Sequence, residues 1–269
     1  MSAMTLTLRA APAGRIDMSG VLPETLGGRT AGDIAAQTVR VDGNPVALGD
    51  LFEVTPGEAG AVLLIHAGSG RLDCLGKGMT AGTLRVDGPA GHYAGQDLRG
   101  GELLIEGDAG DCAANGMQGG LLRIAGNAGD WLGAALIGDR AGMGGGVVAV
   151  AGDAGDRLGD RMRRGLILVR GKAGAACGAR LLAGTLVVAG GCAGAPGPGL
   201  RRGSLILGRA PETMPATYND AGVADLSWLG LLRRHAEAIL PGVVPDSTRA
   251  RRHMGDLACG GKGEILVPA

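Results

Sequence analysis

Five cysteines (Cys74, Cys112, Cys177, Cys192 and Cys259) and four histidines (His66, His92, His235 and His253) are the residues best suited to hold a metal, act as nucleophiles or cross-link the chain. A zinc clamp wants thiolates two to four residues apart, and none of these cysteines forms a C-x-x-C pair. An odd, scattered set also argues against a disulfide framework. The aspartates Asp108, Asp130, Asp153 and Asp156 lie among glycines, but without the Gly-Gly-x-Gly-x-Asp spacing of calcium-binding nonapeptide turns. No nucleophile elbow, P-loop or dinucleotide fingerprint within a βαβ unit is present. The sequence therefore assigns neither a catalytic nor a metal-binding residue. What remains is cationic: Arg99, then Arg163 and Arg164, then Arg201 and Arg202, each just ahead of a glycine.

Those glycines open a phrase that recurs through the middle of the chain. It starts at Gly82, Gly101, Gly120, Gly146, Gly165, Gly184 and Gly203, in steps of 19 residues with a single step of 26. Each start is followed by an alternating apolar pair: Leu84/Val86, Leu103/Ile105, Leu122/Ile124, Val148/Val150, Ile167/Val169, Leu186/Val188 and Leu205/Leu207. A small residue comes later in each unit, at Ala90, Ala109, Ala128, Ala154, Ala173 and Cys192. A second apolar column follows at Leu98, Met117, Leu136, Met162, Leu181 and Leu200. One such unit cannot bury its apolar face, whereas stacked units make ladders of like residues and a continuous core. Nineteen residues are too few for two sizeable helices, and the alternation is that of a strand. The reading is an all-β solenoid, a right-handed parallel β-helix with about 19 residues per coil. Glycine weakens a regular element by about 0.5–1 kcal/mol relative to alanine. The columns Gly91/Gly110/Gly129/Gly155/Gly174 and Gly95/Gly133/Gly159/Gly178/Gly197 are therefore expected at corners with positive φ.

Composition agrees. Apolar residues make up 45% of the chain but aromatic residues only 2%, which suits a narrow core of Val, Ile, Leu and Ala. Basic and acidic residues balance at 26 each, so no global field invites nucleic acid or a membrane surface. Without an N-terminal signal or an 18-residue apolar run, a cytoplasmic protein is expected.

Three segments follow from the limits of the repeat. Residues 1–60 read as a small α/β cap, with a short helix running into a strand between Ile34 and Val41. Residues 61–209 are the β-helix, beginning with a degenerate unit in which Ile65 and Ala67 take the apolar columns, Gly76 a corner and Met79 the second column. Residues 210–269 form a C-terminal helix, with Leu226, Leu229, Ala236, Ile239 and Leu240 at helical spacing, and then a basic arm. The helix is expected to cap the last coil. The step of 26 implies a seven-residue insertion, assigned to Asp139–Gly145 and including Arg140 and Met143, which leaves the scaffold as a loop. Trp131 lies in the same unit, at a position held elsewhere by Tyr93, Cys112, Arg157 and Ala176. The candidate partner contacts are therefore Trp131, Asp139, Arg140, Met143, Arg163, Arg164, Arg201 and Arg202.

The phrases Gly126-Asn127-Ala128-Gly129-Asp130, Gly138-Asp139-Arg140-Ala141-Gly142-Met143 and Gly152-Asp153-Ala154-Gly155-Asp156-Arg157-Leu158-Gly159, with Arg163-Arg164-Gly165 and the segment Leu48–Val54, resemble the C subunit of formylmethanofuran dehydrogenase. They are most similar to its bacterial counterpart in the formyltransferase/hydrolase complex of methylotrophs. The glycine-rich repeat alone is also found in the C-terminal domain of the glutamate synthase large subunit. The archaeal molybdenum- or tungsten-dependent form and a free-standing glutamate synthase-like domain are the alternatives. The resemblance implies a right-handed β-helix subunit without chemistry or cofactors of its own, assembled with the A, B and D subunits. It further implies that the partners handle tetrahydromethanopterin and a methanofuran-type carrier, moving a formyl group between them and hydrolysing it to formate.

Overall fold

The alternating pairs fold as short parallel strands, from Thr83–Asp87 through Ser204–Leu207. The structure, a computed structural model, describes residues 3–57, 62–67 and 69–269. It is β-rich, with a 13-stranded sheet, a four-stranded sheet and few helices. Across successive strands of the large sheet Leu84, Leu103, Leu122, Val148, Ile167, Leu186 and Leu205 stand opposite one another, as do Val86, Ile105, Ile124, Val150, Val169, Val188 and Leu207. All of them are buried, and each contributes about 1.5–3 kcal/mol by leaving water. Isolated parallel bridges link Ala90, Ala109, Ala128, Ala154, Ala173 and Cys192 in a second ladder, which is where the spacing had put Cys192.

The degenerate first unit is shifted from its expected phase. Leu63 and Ile65, rather than Ile65 and Ala67, stand opposite Leu84 and Val86. Gly76 and Met79 keep their expected places, with φ +67° at Gly76 and Met79 fully buried. Two extra residues therefore lie between strand and turn, and counting back 19 residues from Gly82 could not see them. The proposed boundary at 60/61 lies outside the described residues.

Both ends of the chain join the same sheet. Met4–Leu8 pairs in parallel with Val62–His66, and Phe52–Thr55 closes that edge antiparallel. At the other edge Gly263–Pro268 pairs in parallel with Ser204–Leu207, followed by Arg249–Gly255 and Asn219–Asp225, both antiparallel. The segment expected to trail as an arm is thus a pair of strands that satisfies the backbone of the last repeat. A short helix, Ala31–Ala35, does run into a strand, Thr38–Val41.

The C-terminal helix, Trp228–Glu237, does not cap the last repeat. It lies on the outer face of the large sheet, where Leu229, Ala236 and Leu240 pack against Ala149, Leu166, Leu168, Val187 and Ile206. Arg123 donates to Ile239 O at 2.7 Å and Arg170 to Pro241 O at 3.0 Å, pinning the chain where the helix ends. The cause is legible in the strands themselves. Their central, outward residue is Arg85, Leu104 or Arg123 in the earlier repeats but Ala149, Leu168, Val187 and Ile206 in the later ones, a face too apolar to leave in water.

Only one of the two glycine columns turns corners. Gly95, Gly133, Gly159, Gly178 and Gly197 have φ between +65° and +69°. Gly91, Gly110, Gly129, Gly155 and Gly174 do not enter the left-handed region; they are glycine because adjacent repeats touch there. A Cβ on Gly174 would lie 2.7 Å from Gly155 C and collide with Asp156 Oδ1. No helix among the described residues is long and apolar enough to cross a membrane.

Candidate partner interface

In six successive repeats one turn position is held in the left-handed region without glycine. Cys74, Tyr93, Cys112, Trp131, Arg157 and Ala176 have φ of 58°, 61°, 62°, 64°, 58° and 55°. That conformation costs an L-residue roughly 1–2 kcal/mol, and a side-chain ladder alongside holds it. Asp73 accepts the amide of His92 at 2.7 Å, His92 Nδ1 that of Asp111 at 2.9 Å and Asp111 that of Asp130 at 2.9 Å. Asp130 then accepts from Asp156 and Asp156 from Ala175, each at 2.7 Å. A second ladder runs Asp108, Asn127, Asp153 and Lys172 at 2.6–2.9 Å. These aspartates do recur, at the repeat spacing rather than the calcium spacing, and their work is to satisfy backbone amides. The pairing of each Asp with a glycine one repeat on was the signal for them in the sequence.

Trp131 is half-buried, with the Arg157 guanidinium 4.8 Å from its ring centroid. Arg157 also donates to Asp160 at 3.1 Å, and Arg180 Nε donates to the same carboxylate at 2.9 Å. Asp160 is 1% exposed, so the two arginines neutralise a buried charge. Trp131 is therefore already covered on one face by its own chain.

The insertion is placed differently from its expected position. Ala135 is still in phase, its amide donating to Asp160 O as that of Asp97 does to Asn115 O. Met143 resumes the phase: it is fully buried, and the amides of Arg163 and Gly144 bond Met143 O and Met117 O in equivalent ways. The inserted residues are thus 136–142, Met143 fills the second apolar column in place of Leu136, and Met143 is a core residue rather than a surface contact. Asp139 and Arg140 are exposed. The loop is pinned by Arg161, which donates to Asp139 O at 2.9 Å, and it presents Ile137 wholly to solvent, at 103% relative exposure.

The loop borders a recess of about 540 Å³ lined by Asp97, Gln118, Asp139, Arg163 and Arg164. Further along the same edge a recess of about 410 Å³ is lined by Leu182, Arg201, Arg202, Cys259 and Lys262. Arg99 is cut off from this group, because Gln118 and Gly144 occupy its position in the next two repeats. Among the described residues no group of three His, Cys, Asp or Glu side chains is placed to hold a metal ion. Of the thiols, Cys177 is fully buried; its hydrogen bond with Cys192 and its burial push it well above the usual thiol range. Cys259 is exposed. Treating the native chain with N-ethylmaleimide at pH 8 is expected to label Cys259 and spare Cys177, read by mass spectrometry; early labelling of Cys177 would show that the core is open.

The chain is thus a β-rich repeat protein whose polar ladders satisfy its own backbone, with an exposed loop beside a cationic edge. No family model matches the chain. It is 48% identical over 268 residues, 98% of its length and 99% of the relative's, to the C subunit of the formyltransferase/hydrolase complex Fhc of Methylorubrum extorquens. It also superimposes with a TM-score of 0.89 and 37% identity on a chain of the crystal structure of the formyltransferase/hydrolase complex FhcABCD from that organism in complex with methylofuran, covering 98% of this chain and 99% of that one. The chain belongs to the family of C subunits of the formyltransferase/hydrolase complex. The match runs through both terminal segments, so it is not a likeness of the glycine-rich repeat alone.

Proposed function

We propose that this chain is a structural subunit of a formyltransferase/hydrolase complex, assembled with the A, B and D subunits. The observation that carries this is the end-to-end 48% identity to a C subunit of such a complex. In this reading the complex passes a formyl group from formyl-tetrahydromethanopterin to a methanofuran-type carrier and releases it as formate. The partner subunits bind both carriers and do the chemistry, in the cytoplasm. Residues 61–209 wind as a right-handed parallel β-helix of about 19 residues per coil, supported by the registers between Leu84 and Leu205 and by the alanine ladder. Crossovers between parallel strands are right-handed in about 98% of cases. Stacked repeats hold distant surface loops at fixed separations, which suits a subunit that braces others.

Co-expression with the A, B and D subunits is expected to yield one complex by size-exclusion chromatography. The isolated chain should turn over neither formyl-tetrahydromethanopterin nor a formylated carrier. Formate release by the isolated chain, or its failure to co-elute with the partners, would overturn the reading.

A further inference from the structure

We propose that the edge running from the 136–142 loop to Lys262 is the seat of an extended acidic segment of a partner subunit. This rests on the assembly reading above and says where and how one contact is made. Arg163, Arg164, Arg201, Arg202 and Lys262 are all exposed. Among the described residues none of their side chains bonds to an acceptor, whereas Arg157, Arg180, Arg251 and Arg252 are paired with carboxylates. Backbone bonds put them along one edge, with Leu182 and Ala183 in the repeat between the two arginine pairs: Leu182 N to Met162 O, Arg201 N to Leu181 O and Lys262 N to Arg201 O. Parallel strands step by about 4.8 Å, so the cations span roughly 15 Å, the length of four or five extended residues. A lone small anion would meet one end of such a strip; a segment with two or more carboxylates meets all of it.

The alternative is that these arginines merely keep the edge soluble. Two features weigh against it. Open hollows of about 540 Å³ and 410 Å³ lie at the strip's two ends, each lined by two of the arginines, so a segment laid along the edge has a place for its side chains at both. The loop beside the first hollow carries Ile137 wholly in water, where an isoleucine gains nothing until a partner covers it. Asp97 and Asp139 line the first hollow together with Arg163 and Arg164, so the segment's carboxylates are set by the arginines and Lys262, and its apolar residue by Ile137.

The test uses the chain co-expressed with the A, B and D subunits. Reversing Arg201→Glu and Arg202→Glu together, and separately Arg163→Glu and Arg164→Glu, is expected to lower the recovered complex by about tenfold or more at 0.15 M salt. Circular dichroism should be unchanged, and the matching lysine pairs should assemble. A photo-crosslinking residue at Ile137 should capture a partner polypeptide next to an acidic stretch. Wild-type recovery by both charge-reversed pairs, or a cross-link only to a stretch without carboxylates, overturns the proposal while the assembly reading stands. If the unaltered chain fails to co-elute, the assembly reading itself has failed.

Discussion

Met143→Ala is expected to cost about 2–4 kcal/mol of stability, whereas Leu136→Ala should cost less than about 1 kcal/mol. Met143 is fully buried in the second apolar column, and Leu136 is only partly covered. Truncating the buried side chain leaves a cavity between repeats that hold Met117 and Met162 at the equivalent place, and neighbours clamped by parallel ladders cannot collapse into it. At roughly 2–4 °C per kcal/mol, thermal unfolding should separate the two variants clearly. Residues 136–142 should also be dispensable for folding. Joining Ala135 to Met143 asks Ala135 for the positive φ that Asp97, Arg161 and Arg180 adopt at the equivalent position, so Ala135→Gly should improve the shortened chain by about 1 kcal/mol. If Leu136→Ala proved the more damaging substitution, the placement of the insertion would be wrong.

Gly155→Ala should destabilise almost as severely as Gly155→Val, each by about 3 kcal/mol or more. The first added atom already does the damage. A Cβ there collides with Asp130 Oδ1 and sits 2.8 Å from both the Asp130 amide and Gly129 C, backbone that cannot yield without parting two repeats. Gly138 is the right comparison: its φ is +97°, but nothing lies within 4 Å of an added Cβ, so Gly138→Ala should cost only about 1–2 kcal/mol. Adding Asp130→Ala to Gly155→Ala removes one collision and leaves the backbone ones, so rescue should be partial. Denaturant midpoints for the four chains decide this; equal, small shifts at Gly155 and Gly138 would mean that the repeats are not in contact there. Arg157 is no neutral reference, since it holds the buried Asp160 and covers Trp131.

Two residues show how an ambiguous pattern is resolved. Leu136 and Met143 are both apolar and seven apart, so deleting either 136–142 or 139–145 restores the 19-residue phase. Only the packed interior distinguishes them, because one methionine continues the stack of Met117 and Met162 while the leucine is left at the base of a loop. The candidate contacts divide in the same way. Asp139, Arg140, Arg163, Arg164, Arg201 and Arg202 are at the surface, Trp131 is half-engaged by Arg157, and Met143 is inside.

In the seven full repeats the sequence by itself determined the strands, their parallel order and the inward pair of each. Each inward position is repeated at a fixed interval, and stacking in any other register would put apolar side chains in water and glycines where no close approach needs them. It also contains the aspartate ladders and the apolar outer face at Ala149, Leu168, Val187 and Ile206. Where the C-terminal helix and the tail would go was decided only by the tertiary structure. Their own residues state that they are amphipathic or extended, not which surface they meet. The helix went to the outer face because that face is apolar, and the tail went to the last strand because its backbone amides and carbonyls were otherwise unpaired.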